Sequence, residues 1–150
     1  MADDSPVAVA FHWTANSEHL TQWLVNVSAF GVEGWMIGTG VEELAARHGV
    51  NHADHWGHLP LDLPLVVLAP KTARDVTPRV CLLDFEHPKR ALYYFGPDFT
   101  WLDGGVLGHP SLHEIVWVPN CSFAARDELY SFAIGAIVLY DRVAKESARC

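Results

Sequence analysis

Four stretches of this chain are dominated by unbroken apolar runs: PVAVAFHW (6–13), LPLVVLA (63–69), RALYYF (90–95) and LHEIVWV (112–118). A strand with one wet face alternates apolar and polar residues, and these do not. They fit strands covered on both faces, as in a parallel sheet sandwiched between helices. The segments between them supply the helices. SEHLTQWLVNVSAF (17–30) has Leu20, Trp23, Leu24 and Val27 at helical spacing, Asn16 or Ser17 as N-cap and Gly31 as terminator. VEGWMIG (32–38) reads as a strand, VEELAARHG (41–49) as a short helix, residues 50–63 as irregular and TPRVCLLDF (77–85) as a strand. ARDELYSFAIGAIVLYDRVAKE (125–146) is the longest helix; its charges sit at both ends and its apolar middle predicts burial on more than one side. Strands alternating with helices make an α/β fold with a mostly parallel sheet, and 150 residues suit a single domain.

RALYYF ends abruptly in Gly96-Pro97-Asp98. Pro97 has no N–H for a ladder, and Gly96 leaves bare backbone at the carboxyl end of a buried strand. In open α/β sheets that edge is where ligands bind. Asp98 is either a turn residue bonding its own backbone or a group facing a ligand.

The net charge is −8, and no Lys or Arg occurs before Arg47. That argues against a broad nucleic-acid surface. Cys81, Cys121 and Cys150 show neither metal spacing nor a disulfide framework, so a reducing cytoplasm is the expected compartment. Cys121 reads as a small hydrophobe rather than a reactive thiol. The acidic N-terminus has no basic n-region of a signal peptide, and no apolar run reaches membrane-spanning length. His48, His52, His55 and His58 surround Asp54 in RHGVNHADHWGHLP. Such residues ligate transition metals, but Gly49 and Gly57 interrupt any helix that would converge them, so a polar loop is expected and no metal. The six tryptophans are scattered over different elements, which suits core or dimer interface more than base stacking.

Three stretches in this order resemble the SpoU/TrmH branch of the SPOUT methyltransferases. NVSAFGVEGWMIGTG (26–40) is similar to the end of the first family motif, and HPKRALYYFGPDFTWL (87–102) to the second, a strand followed by Phe-Gly-x-Glu. IVWVPN with ELYSFAIGAIVLYDRVAK (115–145) is similar to the third, a strand ending in a Pro turn before Ser-Leu-Asn and a long helix. The resemblance implies a C-terminal trefoil knot, a homodimer, S-adenosylmethionine as cofactor and ribose 2′-hydroxyls of tRNA or rRNA as acceptors. It further implies that Ala69, Phe95, Gly96, Pro97, Val118, Pro119 and Leu129 hold the cofactor, largely through backbone groups.

The departures from the family pattern bear on catalysis. Counted back from Gly31, the family's Asn position holds His19, its Gly position Thr21 and its Arg position Val25. The family Glu is Asp98, and Ser-Leu-Asn is Glu128-Leu129-Tyr130. An Arg offers a fixed fork of donors for a phosphate, and Val25 offers none. His19, an imidazole able to accept a proton near neutral pH, is then the candidate base, and Arg126 or Arg142 the candidate cation. The resemblance thus implies a diverged RNA 2′-O-methyltransferase homologue whose methyl transfer is in question. The alternative is a catalytically inactive dimer of the same fold acting as a binding or regulatory module.

Overall fold

The computed structural model describes residues 6–69, 80–97, 103–119 and 130–147. Its centre is a seven-stranded sheet in which every paired strand runs parallel. The strands are β1 (Val7–His12), β2 (Glu33–Ile37), β3 (Asn51–Ala53), β4 (Leu65–Leu68), β5 (Val80–Cys81), β6 (Ala91–Phe95) and β7 (Leu112–Trp117). Their spatial order is β3-β2-β1-β6-β4-β7-β5. The helices are α1 (Ser17–Phe30), α2 (Glu42–Arg47), α3 (Gly104–Leu107) and α4 (Ser131–Ser147).

Alternate residues of each central strand feed two separate cores. Val9, Phe11, Val66, Leu68, Tyr93, Phe95 and Val116 face one side, where Trp23 of α1, Ala45 of α2 and Val138 and Leu139 of α4 cover them. Ala8, Ala10, Leu65, Val67, Leu92, Tyr94 and Ile115 face the other. Among the described residues that side carries α3, through Val106, and the segment containing Leu59 and Leu63. All four side chains of β4 and all five of β6 are buried. A buried Val, Leu or Phe contributes about 1.5–3 kcal/mol, which is why neither strand alternates with polar residues.

Local chemistry sets the helix ends. The Asn16 side chain accepts from the N–H groups of Glu18 and His19, satisfying two orphan donors at the start of α1. Gly31 ends the helix at φ 62°, where its N–H reaches Ser28 O and that of Val32 reaches Val27 O. This is a Schellman closure, and its left-handed residue favours glycine.

Three elements differ from the sequence expectation. The stretch expected to be irregular contains β3, an edge strand of three residues, too short to show a period. The strand expected over 77–85 is only Val80–Cys81 in its described part. Leu82–Asp84 turns instead as a 3-10 helix, burying Leu82 and leaving Leu83 71% exposed. Helix α3 was not expected because Gly104 and Gly105 occupy its first turn. Asp103 offsets that by capping the Gly105 N–H. The knot depends on the paths of 98–102 and 120–129, which lie outside the described residues.

Candidate functional site

Strand β4 lies between β6 and β7, and the register aligns Leu68 with both Phe95 and Val116. The three strands therefore end side by side. Ala69 continues β4 by one residue, donating its N–H to Val116 O at 3.0 Å. Gly96 and Pro97 follow β6, and Val118 and Pro119 follow β7; all four are half-buried. Six of the seven residues expected to hold the cofactor thus share one sheet edge. Leu129, like Asp98 and Arg126, lies outside the described residues.

The same edge receives the N-terminal ends of α1 and α4, because α1 follows β1 and α4 follows β7. Trp23 ties these parts together. Its indole stacks on Phe11 at 4.8 Å and meets the edge of Phe95, also at 4.8 Å between centroids. Its Nε1 donates to Ser131 Oγ at 3.3 Å. Gly135 makes the approach possible, since a Cβ there would lie 2.6 Å from the Trp23 ring. Asn26, buried between the two helices, donates from Nδ2 to Phe132 O at 2.8 Å.

Beside this seam His19 meets Tyr130 and Phe132, with ring centroids 4.4 and 5.1 Å away. On the motif resemblance, His19 and Tyr130 correspond to the first-motif Asn and the third-motif Asn. Two positions separated by 111 residues in the chain are therefore adjacent in space. With Ser17, Glu18, Thr21 and Gln22 the three rings line an open depression of about 560 Å³. Val25, at the family's Arg position, is 50% exposed.

Two described basic residues, Lys89 and Arg90, are not at this edge. Lys89 and Arg90 precede β6, so the length of that five-residue strand, about 16 Å, separates them from Gly96. Arg90 pairs with Asp62 at 3.7 Å. Arg142, the alternative cation, is also at the far end, where it is buried and donates to Pro88 O, Lys89 O and Tyr93 Oη at 2.7–2.9 Å.

That far end carries a network that residue-by-residue reading missed. Arg142 can only donate, so Tyr93 Oη accepts from it and gives its own proton to His87 Nδ1, 2.7 Å away. The imidazole then carries its proton on Nε2 and donates to Asp141 Oδ2 at 2.7 Å. Lys145 also reaches Asp141, at 2.9 Å, and donates to Leu82 O and Phe85 O. Burial holds His87 below its ordinary pKa of 6.5, against the pull of Asp141. Burial also pushes Tyr93 up to about 12, against the pull of Arg142. A faint signal existed in the DRVAK spacing, which puts Asp141 and Lys145 on one face of α4.

At the end of β1, His12 Nε2 lies 2.8 Å from Tyr94 Oη. Burial and the nearby Asp103 push Tyr94 up to about 12. In the histidine-rich loop, His52 Nε2 lies 2.7 Å from Gly38 O, and His55 Nδ1 accepts from Gly57 N–H. Among the described residues no group of three or more His, Cys, Asp or Glu side chains is placed to hold a metal. Among them, too, no helix is long and apolar enough to cross a membrane.

No protein-family model matches the chain, and no curated protein does. Solved structures do. The SpoU methyltransferase AviRb from Streptomyces viridochromogenes, in complex with AdoMet, aligns with a TM-score of 0.70 at 14% identity, over 98% of this chain and 60% of that one. An RNA 2′-O ribose methyltransferase aligns with a TM-score of 0.68 at 18% identity, over 97% of this chain and 58% of that one. A protein from Bacillus anthracis provisionally assigned as an RNA methyltransferase aligns with a TM-score of 0.67 at 13% identity, over 94% of both chains. The chain spans about three fifths of the first two. Likeness at such low identity is a statement about architecture, and the architecture is clear: this chain has the fold of the SpoU/TrmH-type SPOUT methyltransferases.

Proposed function

We propose that this chain is a diverged SpoU/TrmH-like RNA 2′-O-methyltransferase homologue that binds S-adenosylmethionine at the shared ends of β4, β6 and β7. The observation that carries the reading is the alignment of Leu68, Phe95 and Val116 in one row. It sets three strand ends side by side at the edge where parallel sheets take ligands. The residues there fit the cofactor. Ala69, Gly96, Val118 and Pro119 present backbone and small apolar groups, which suit an adenosine held by main-chain hydrogen bonds. AviRb, of the same fold, holds AdoMet.

Bound S-adenosylmethionine supplies an electrophilic methyl group on a sulfonium. The chain's own part is to orient a ribose hydroxyl and take its proton. His19, at the mouth of α1, is the candidate base, and Arg126 the candidate cation for the neighbouring phosphate. The acceptor would be tRNA or rRNA in the cytoplasm. The folded unit is read as one domain over residues 1–150 with a trefoil knot. It is read as a homodimer as well: Val25, Ile137, Tyr140 and Val143 are exposed on α1 and α4, an apolar stripe suited to a second copy.

A second reading has its own support. Val25 replaces the family Arg with an exposed apolar side chain, and no described residue lining the depression is Lys or Arg. A lost oriented contact of this kind costs orders of magnitude in rate. On this reading the fold persists as a dimeric binding or regulatory module.

Calorimetric titration with S-adenosylmethionine tests the leading reading, with Gly96→Val as control. The parent should bind and the variant should not, while circular dichroism and light scattering report the same folded dimer for both. Equal binding by both moves the site elsewhere, and no binding by the parent leaves the module. Methyl transfer to bulk tRNA and rRNA, lost in His19→Ala or Arg126→Ala, separates enzyme from module.

A further inference from the structure

The rings at the mouth of α1 and α4 have a chemistry of their own. Tyr130 and Phe132 lie almost parallel, 8° apart, with centroids separated by 6.0 Å. His19 is tilted about 50° against both. Tyr130 is 43% exposed, so part of this aromatic surface is open to solvent. The other walls are a carboxylate, two hydroxyls and an amide, from Glu18, Ser17, Thr21 and Gln22. Among the described residues the wall contributes no positive charge. Residues 1–46, which supply five of the seven lining residues, contain no Lys or Arg at all.

We infer that this depression takes the flat ring of a nucleobase by stacking on Tyr130 and Phe132, and that the wall formed by its described residues disfavours a phosphate. This deepens the reading of the chain as a nucleic-acid methyltransferase homologue and rests on it for the identity of the ring. The physical argument has two parts. Stacking on an aromatic side chain stabilises a base by about 1–3 kcal/mol and tolerates every base, since each has a π-face. Phosphate binding instead needs Lys or Arg and the release of counterions, and here Glu18 would repel the anion. The amide of Gln22 and the hydroxyls of Ser17 and Thr21 suit the polar edge of a base or a ribose. Within the depression the acceptor would then be held by its base, which leaves its phosphate outside the wall of described residues.

The connection to the strand edge is direct. Trp23 touches Phe95 on one side and Ser131 on the other, and Ser131 separates Tyr130 from Phe132. A ring seated in the depression would lie one indole away from the ends of β4 and β6.

Calorimetry with guanosine and uridine tests the inference. Each is run against its 5′-monophosphate and against inorganic phosphate, all with S-adenosylmethionine saturating so that the cofactor edge is filled. Both nucleosides should bind the parent with little dependence on salt, and the monophosphates should bind more weakly. Tyr130→Ala should weaken nucleoside binding roughly tenfold or more, whereas Tyr130→Phe, which keeps the ring, should retain it. Glu18→Lys, at an exposed position, should turn the preference toward the monophosphates. Monophosphates that bind the parent more tightly and with steep salt dependence would overturn the inference, as would nucleoside binding that Tyr130→Ala leaves unchanged. Nucleoside binding that survives when S-adenosylmethionine does not bind would leave the ring site standing and remove the cofactor reading. Cofactor binding with no nucleoside binding would do the reverse.

Discussion

Helix α4 is anchored at its two ends by opposite chemistry. At the C-terminal end Asp141, Arg142 and Lys145 are engaged by His87, Tyr93 and four backbone carbonyls. At the N-terminal end the contacts are rings and close packing: Trp23 against Gly135, and His19 against Tyr130 and Phe132. The first end is charged, saturated and largely buried. The second is apolar and partly open, and it faces the strand edge proposed to bind the cofactor. The difference teaches where this fold places its stability and where it leaves surface for a ligand. Directional bonds fix the register of α4 at the end away from the site.

Removing Arg142 should break the comparison most severely. Arg142→Ala leaves Tyr93, Pro88 and Lys89 without their buried donor. A loss of about 3–5 kcal/mol is expected in urea unfolding, the range for breaking a buried charged contact. A loss below 1 kcal/mol would mean that the network is ornamental. At the other end, Gly135→Ala should gain helix propensity of about 1 kcal/mol but press on an indole already enclosed by Phe11 and Phe95. Overpacking costs about 1–3 kcal/mol, so a net destabilisation near 1 kcal/mol is expected in the same assay. A stabilised variant would show that the two helices can part.

The smallest effect concerns pH. Folded His87 has a lowered pKa, whereas the unfolded imidazole takes up its proton near 6.5. The unfolded state therefore binds more protons as pH falls below 6.5. Stability from this group is fully present above 6.5 and is lost below it, toward the folded pKa. Burial is the main cause of that lowering; Asp141 opposes it and Lys145 and Arg142 add to it, while Tyr93 also faces the ring and Glu146 lies beside Arg142. One proton gives a slope of at most about 1.4 kcal/mol per pH unit. Urea midpoints between pH 7 and 5.5 should fall more steeply in the parent than in His87→Gln. Parallel slopes would remove His87 as the cause.

Much of the fold was legible because a parallel sheet covered on both faces leaves a strong mark. LVVL and ALYYF can be little else than doubly buried strands, and Asn16 and Gly31 bracket α1 by capping chemistry. Strand β3 was not legible, because three residues at an edge carry no period. Helix α3 was hidden by Gly104 and Gly105, whose cost a cap at Asp103 offsets. The strand ends of the candidate site were visible in the break at Gly96-Pro97. The meeting of His19 and Tyr130 was not, since only tertiary packing joins positions 111 residues apart. The network of Arg142 was hidden for the same reason: its partners lie 49–54 residues away.

The position of β4 has a consequence for how the chain is made. Both of its partners, β6 and β7, lie later in the sequence. The 49 residues that follow Leu68 through Trp117 must be synthesised before both edges of β4 are paired. At about 5–20 residues per second that takes several seconds. Until β6 has been made, Leu-Val-Val-Leu is an apolar segment with unpaired edges, because neither of its partners in the sheet lies upstream. Such contacts between distant parts of a chain slow folding and invite aggregation. The strand at the heart of the proposed cofactor edge is therefore also the segment a nascent chain most needs to have shielded.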